Sequence, residues 1–151
     1  MGVRKHAVLS YKMTMADGIN PDGRVPFGRQ FDFIGDVETE LMILNDGDES
    51  LCLGYTDVEL FEDAYVGDQL DFKAELIRVG STSRTCRIST YKVATLASRM
   101  GKKEAAPGEM HYFEEPKLIS DGTVVLVVKK DVQRGPQPDG AVKDPWRELD
   151  L

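Results

Sequence analysis

The sequence predicts an α+β fold in which one antiparallel sheet wraps around a single long helix. Three observations predict it. The elements run strand, long helix, then four strands. The strands are apolar at period two, or continuously so, and turn chemistry separates them. The helix is apolar on nearly every flank, so it needs a sheet curled around it. With 151 residues, the chain suits one domain over 1–151, with a core of about 3–131 and an extended tail from about 132 to 151.

The first strand is expected from Val3 to Met15. Val3, Ala7, Leu9, Tyr11, Met13 and Met15 share one parity, and Arg4, His6, Ser10, Lys12 and Thr14 share the other. A loop rich in Gly, Pro, Asp and Asn follows, from Ala16 to Pro26. The helix should start near Phe27 or Gly28 and reach about Leu44. Phe27, Phe31, Ile34, Val37, Leu41 and Leu44 recur at spacings of three and four. Phe33, Met42 and Ile43 lie on its other flanks, which leaves little surface for solvent. Asn45-Asp46-Gly47-Asp48 supplies the chemistry that ends it.

Strands are then expected over Leu51–Phe61, over Gln69–Val79 with Leu70, Phe72, Ala74 and Leu76 on one face, and over Thr82–Leu96 after a Gly80-Ser81 hairpin turn. Ser98 to Ile119 reads as irregular, because Gly101, Pro107, Gly108 and Pro116 interrupt it. Val124-Val125-Leu126-Val127-Val128 reads as a strand buried on both faces or within a dimer sheet. Edge-to-edge pairing of two such sheets would remove an exposed edge strand, so a homodimer is expected.

The net charge of -7 favours solubility and argues against a general nucleic-acid surface, which needs clustered Lys and Arg. Cys52 and Cys86 each sit in an apolar, strand-like run without a CxxC partner, and read as reduced core thiols. The charged start, Met1 to Ser10, is too short in apolar length for a signal peptide, and no segment approaches the roughly 20 apolar residues that span a bilayer. A cytoplasmic protein without membrane contact is expected. His6 and His111 are the only histidines and lack companion ligands at suitable spacing, so no metal is expected. No phosphate-binding Gly-rich loop and no GxSxG nucleophile motif occur.

Asp36 and Glu40 are four residues apart and therefore share one flank of the helix. Two carboxylates on an otherwise apolar helix are costly unless they are used or paired. They read either as catalytic groups or as a structural pair bonded to a neighbouring strand or to Arg29. Glu38 points elsewhere and reads as a surface or interface charge.

The segment Gly35-Asp36-Val37-Glu38-Thr39-Glu40-Leu41 resembles the GDVxTEL stretch of the β-aminoacyl-CoA ammonia-lyases, hotdog-fold proteins of amino-acid fermentation. The likeness continues through Asp46-Gly47-Asp48, Leu53-Gly54-Tyr55, Asp57-Val58-Glu59, Ala64-Tyr65-Val66-Gly67-Asp68, Val79-Gly80 with Ser83, and Lys92-Val93-Ala94. It ends in Lys129-Lys130-Asp131-Val132-Gln133-Arg134-Gly135-Pro136-Gln137, which is similar to the family's KKDxQRGPQ signature. The departure lies upstream. Where the family has a DAHYGGNLVxGAR-like segment, this chain has Asp17-Gly18-Ile19-Asn20-Pro21-Asp22-Gly23-Arg24-Val25-Pro26-Phe27-Gly28-Arg29, so Ile19-Asn20 replaces the His-Tyr pair.

The resemblance implies the hotdog fold, a homodimer that could extend to a hexamer, and reversible loss of ammonia from a short β-aminoacyl-CoA. Coenzyme A is then part of the substrate, and no separate cofactor is expected. That reaction needs an acid or base at the α-carbon and donors for the thioester oxygen as it gains enolate charge. Glu40, seconded by Asp36, is the expected proton-transfer residue. Gly28 and Arg29 stand at the helix start, where backbone N–H groups suit the oxygen. Tyr55 and Glu59, with Asn20 in the divergent loop, are candidate substrate or interface residues. Lys129, Lys130 and Arg134 are the positions that the resemblance assigns to the coenzyme A phosphates; they read otherwise as a structural turn with solvated lysines. Arg84 and Arg87 are weaker candidates. Two other functions fit the same fold: a thioesterase, in which a helix carboxylate activates water, and a non-catalytic acyl-CoA-binding subunit.

Overall fold

The computed structural model describes residues 4–134. Val3 and the expected tail from 135 to 151 lie outside the described residues. The elements are β1 (His6–Lys12), β2 (Arg24–Val25), α1 (Phe27–Asp46), β3 (Leu51–Leu60), β4 (Ala64–Tyr65), β5 (Gln69–Val79), β6 (Ser83–Leu96) and β7 (Met110–Val127), with short 3₁₀ turns at Ala97–Met100 and Lys130–Val132. Five strands form one antiparallel sheet in the order β1-β5-β6-β7-β3. The two-residue strands β2 and β4 pair with each other beside the start of the helix. The helix packs against β5, β1 and β6. This is the hotdog arrangement that the order of elements predicted.

The packing follows from the alternation of the strands. Leu70, Phe72, Ala74 and Leu76 of β5 are all buried, as are Cys86 and Ile88 of β6 and Val124 and Leu126 of β7. They meet Phe33, Ile34, Val37, Leu41 and Met42 of α1. Phe33 stacks on Phe72 at 5.3 Å between ring centroids, and Tyr11 of β1 lies 4.7 Å from Phe33. A Leu, Ile, Val, Phe or Met side chain contributes about 1.5–3 kcal/mol when fully buried.

Four expectations are corrected. Residues 110–119 are not irregular, because β7 begins at Met110. Its proline is accommodated in a bulge, where Phe113 to Pro116 stand opposite Val93 alone and Pro116 owes no N–H to the ladder. The helix is not buried nearly all round. Arg29, Asp32 and Asp36 are exposed, and so are Ile43 (49%) and Leu44 (37%), because the sheet of one chain covers only the opposite flank. Cys52 is not a core thiol, since it lies exposed on β3, whereas Cys86 is buried. The first strand stops at Lys12, and Met15 beyond it is 84% exposed.

The far end of the helix is fixed by polar groups. Gly47 adopts the left-handed conformation (φ 65°) that closes α1, a position that favours glycine. Asp46 forms a two-pronged pair with Arg84 of β6, at 3.0 Å on each prong, and both residues are buried. The Asn45 side chain bridges the backbone of Arg4. No helix among the described residues is long and apolar enough to cross a membrane.

Candidate active site

Helical spacing sorts the acidic residues of α1 onto two flanks. Asp36 and Glu40 do share one, as their spacing requires, but it is the flank turned away from the core. Asp36 is exposed and accepts a hydrogen bond from Tyr11 Oη at 3.1 Å, while Glu40 is half-buried. Arg29 and Asp32 stand on the same flank, two turns and one turn earlier. Arg29 pairs there with Asp32 and with Asp17, which is 2.8 Å away and buried.

Glu38 faces the other way, and the surface half of its reading as a surface or interface charge is overturned, since it is only 3% exposed. It falls in the buried row formed by Ile34, Leu41, Met42 and Asn45. Tyr55 of β3 reaches across to it, with Oη donating to Glu38 Oε2 at 3.1 Å. Glu38 Oε1 is buried and has no hydrogen-bond partner among the described residues. Burial pushes the carboxyl up, the Tyr55 bond opposes this, and the balance leaves its pKa at about 7. Burial and then the Glu38 charge raise the Tyr55 phenol, so the ring keeps its proton and acts as a donor. The same two causes push the Cys86 thiol up to about 12. A carboxyl that is half ionised near neutral pH can both take and return a proton.

The aromatic wall continues from Tyr55 toward the helix start. Phe31 meets the Tyr55 ring edge-on at 5.0 Å, and Phe27 lies 5.1 Å from Phe31. Phe27, Phe31, Ile34, Val58, Ile88 and Thr90 bound a narrow space beneath them. The Thr90 hydroxyl there is buried and has no partner among the described residues.

The N-terminus of α1 carries no side-chain cap. The N–H groups of Arg29 and Gln30 turn back to the Pro26 carbonyl at 3.0 and 3.3 Å. Phe27 and Gly28 open the helix, and their N–H groups have no acceptor within it. A Cβ placed on Gly28 would meet nothing within 4 Å, so the first turn is open to a ligand. Gly28 and Glu38 are ten residues apart, or ~15 Å along a helix axis.

The other expected residues lie apart from Glu38 and Tyr55. The Asn20 side chain donates to the Arg24 carbonyl and shapes the divergent loop, and neighbouring Ile19 is 76% exposed. Glu59 is exposed on β3 opposite Asp121. Lys129 and Lys130 are exposed. Arg134 donates to the Gly47 carbonyl and pairs with Asp48 at 3.1 Å, at the C-terminal end of α1. Arg84 is the buried partner of Asp46, and Arg87 pairs with Asp121 on the outer face of the sheet. Sequence reasoning missed Glu38, although a signal was present. Glu38 lies four residues after Ile34 and four before Met42, both in the buried row.

No protein-family model matches the chain. Among curated proteins, the chain is 32% identical over 128 residues to the 3-aminobutyryl-CoA ammonia lyase of Acetoanaerobium sticklandii, covering 85% of this chain and 98% of that protein. Among solved structures, the β-alanyl-CoA:ammonia lyase of Clostridium propionicum superposes with a TM-score of 0.80 at 35% identity, covering 91% of this chain and 94% of that one. An acyl-CoA hydrolase of Staphylococcus aureus shares the fold at 11% identity and a TM-score of 0.66, covering 87% of this chain and 70% of that one. At 32% identity across nearly the whole relative, the chain belongs to the hotdog-fold β-aminoacyl-CoA ammonia-lyase family.

Proposed function

We propose that this lyase reversibly removes ammonia from a short β-aminoacyl-CoA, with Glu38 as its proton-transfer group, and that it works as a homodimer. The observation that carries the assignment is the Glu38 carboxyl, buried against Tyr55 with one oxygen unpartnered and a pKa of about 7. In the elimination direction, the carboxylate takes the α-proton. The electron pair moves into the thioester, whose oxygen gains enolate charge beside the helix N-terminus. The substrate nitrogen enters as ammonium, so when the enolate pair forms the Cα=Cβ bond the Cβ–N bond breaks with its electrons on nitrogen, neutral ammonia leaves, and an enoyl-CoA remains with the α-proton on Glu38. Addition runs the same steps backward, and Glu38 returns the proton to the α-carbon. We assign this step to Glu38 in preference to Asp36 and Glu40, which occupy the outer flank of the helix.

The separation of ~15 Å between Gly28 and Glu38 is too long for one chain to offer both to a single thioester, whose oxygen and α-hydrogen lie within a few ångströms of each other. Two chains related by a two-fold axis can do so, with the helix start of one facing Glu38 of the other. The edge strand β3 supports this reading. It pairs with β7 on one side only, and it exposes Leu51 (61%) and Leu53 (73%).

The test is mass spectrometry of the protein incubated with short enoyl-CoA thioesters and ammonium at mildly alkaline pH. A product heavier by one ammonia is expected. Glu38→Gln should slow its formation by about 10²–10⁴-fold, and Asp36→Asn and Glu40→Gln should slow it far less. Release of free coenzyme A without an adduct would overturn the lyase reading in favour of hydrolysis.

A further inference from the structure

Among the described residues, three buried side-chain oxygens have no hydrogen-bond partner: Gln30 Oε1, Glu38 Oε1 and Thr90 Oγ1. Glu38 has its use in proton transfer, and the Gln30 amide donates to the Val25 carbonyl at 3.4 Å. Thr90 of β6 is 1% exposed, and nothing in the fold employs its hydroxyl. A desolvated hydroxyl left unpaired costs stability. Water does not relieve it, because the narrow space that Thr90 lines with Phe27, Phe31, Ile34, Val58 and Ile88 has no room for a water molecule.

The neighbouring strands bend around this space. Thr90 stands opposite Ser120 and Tyr91 opposite Leu118, so β7 carries an extra residue, Ile119, just beside Thr90. On β3 the ladder slips between Thr56 and Glu59, and Asp57 takes a left-handed conformation (φ 53°). That kink presses Val58 over Gly122 so closely that a Cβ on the glycine would lie 2.9 Å from Val58 Cγ2. The space adjoins the proton-transfer group by two routes. Ile34 stands one turn before Glu38 on α1. Phe31 meets the Tyr55 ring at 5.0 Å, and Tyr55 holds Glu38. Phe27 and Phe31 are only half-buried, so rotation of these rings opens the space toward a ligand.

We propose that the Thr90 hydroxyl receives the nitrogen of the reaction: the β-ammonium of the substrate in elimination, and ammonia in addition. The inference rests on the lyase reading above and locates its nitrogen site. The nitrogen is bonded to the carbon next to the one whose proton goes to Glu38, so its acceptor must lie close to Glu38. Thr90 Oγ1 offers lone pairs without charge. A carboxylate at this place would stabilise the substrate ammonium more than the departing neutral ammonia, and so would raise the barrier to its loss. In addition, the ammonia lone pair forms the Cβ–N bond, the Cα=Cβ pair moves into the enolate, and the α-carbon takes the proton of Glu38.

Steady-state addition of ammonia to a short enoyl-CoA tests it in the whole protein. Thr90→Val should raise KM for ammonium by roughly tenfold or more. It should leave the Kd of the enoyl-CoA, titrated calorimetrically without ammonium, unchanged, because that ligand carries no nitrogen at its β-carbon. Thr90→Ser, which keeps the hydroxyl, should stay within about twofold of the wild-type KM. Valine has the shape of threonine without the unpartnered hydroxyl, so Thr90→Val should melt at or above the wild-type temperature. An unchanged KM for ammonium in Thr90→Val overturns the proposal. A lower melting temperature joined to an equal loss of enoyl-CoA affinity also overturns it, since that pattern marks a structural hydroxyl. A wild-type protein that forms no ammonia adduct overturns the lyase reading itself, so the two failures are told apart.

Discussion

Glu38 holds its proton up to a pH of about 7 in the folded chain, whereas an ordinary glutamate releases it near 4.5. Folding therefore takes up a proton between those values, and the stability that this group allows falls as the pH rises through the window. The shift corresponds to ~3 kcal/mol, an order of magnitude for a group this buried. Glu38→Gln should accordingly raise the melting temperature at pH 8 and leave it nearly unchanged at pH 4.5, as thermal melts at the two values would show. A group retained at such cost is better explained by use than by packing. At this scale the sequence was only partly legible. The family motif drew the eye to Asp36 and Glu40, and their common flank followed correctly from the spacing. Which flank faces the sheet depends on the apolar row at Ile34, Val37, Leu41 and Met42, and read against that row Glu38 is the buried acid.

Single elements were legible where their chemistry is local and obscure where it depends on partners. The helix begins at Phe27 and closes at Gly47, and β5 spans Gln69–Val79, because apolar period and turn residues declare those limits. The strand β7 was legible only from Gly122 onward. Its first half lacks an apolar run of its own, and it is held as a strand by the ladder to β6 across a bulge. The Arg84–Asp46 pair is a long-range bond between elements and gave no sign in the spacing. Arg84→Met should destabilise the chain by about 3–5 kcal/mol, because it strips a buried carboxylate of its counter-charge. Adding Asp46→Leu should recover much of that loss. Urea unfolding of the wild type, the single and the double variant would check both statements.

At the scale of the whole molecule, the order β1-β5-β6-β7-β3 leaves β3 as an edge that no part of the described chain covers. The order of elements had already implied one curled sheet around one helix, and hence a pairing edge. The sequence did not carry the distribution of the site along the helix, with open N–H groups at one place and a desolvated carboxyl ten residues on. Under the proposed two-chain site, that separation makes activity dependent on assembly. Leu53→Lys on the exposed edge should yield monomers by light scattering, with turnover down by more than about tenfold while the far-ultraviolet circular dichroism is kept.

The assignment of the α-proton to Glu38 is tested most directly by deuterium wash-in. The wild type, Glu38→Gln and Glu40→Gln are each incubated with a β-aminoacyl-CoA in deuterated buffer, and mass spectrometry follows the α-carbon. The account predicts rapid incorporation by the wild type and by Glu40→Gln, and almost none by Glu38→Gln. Incorporation that survives in Glu38→Gln and disappears in Glu40→Gln would contradict it and move the proton step to the outer flank of the helix.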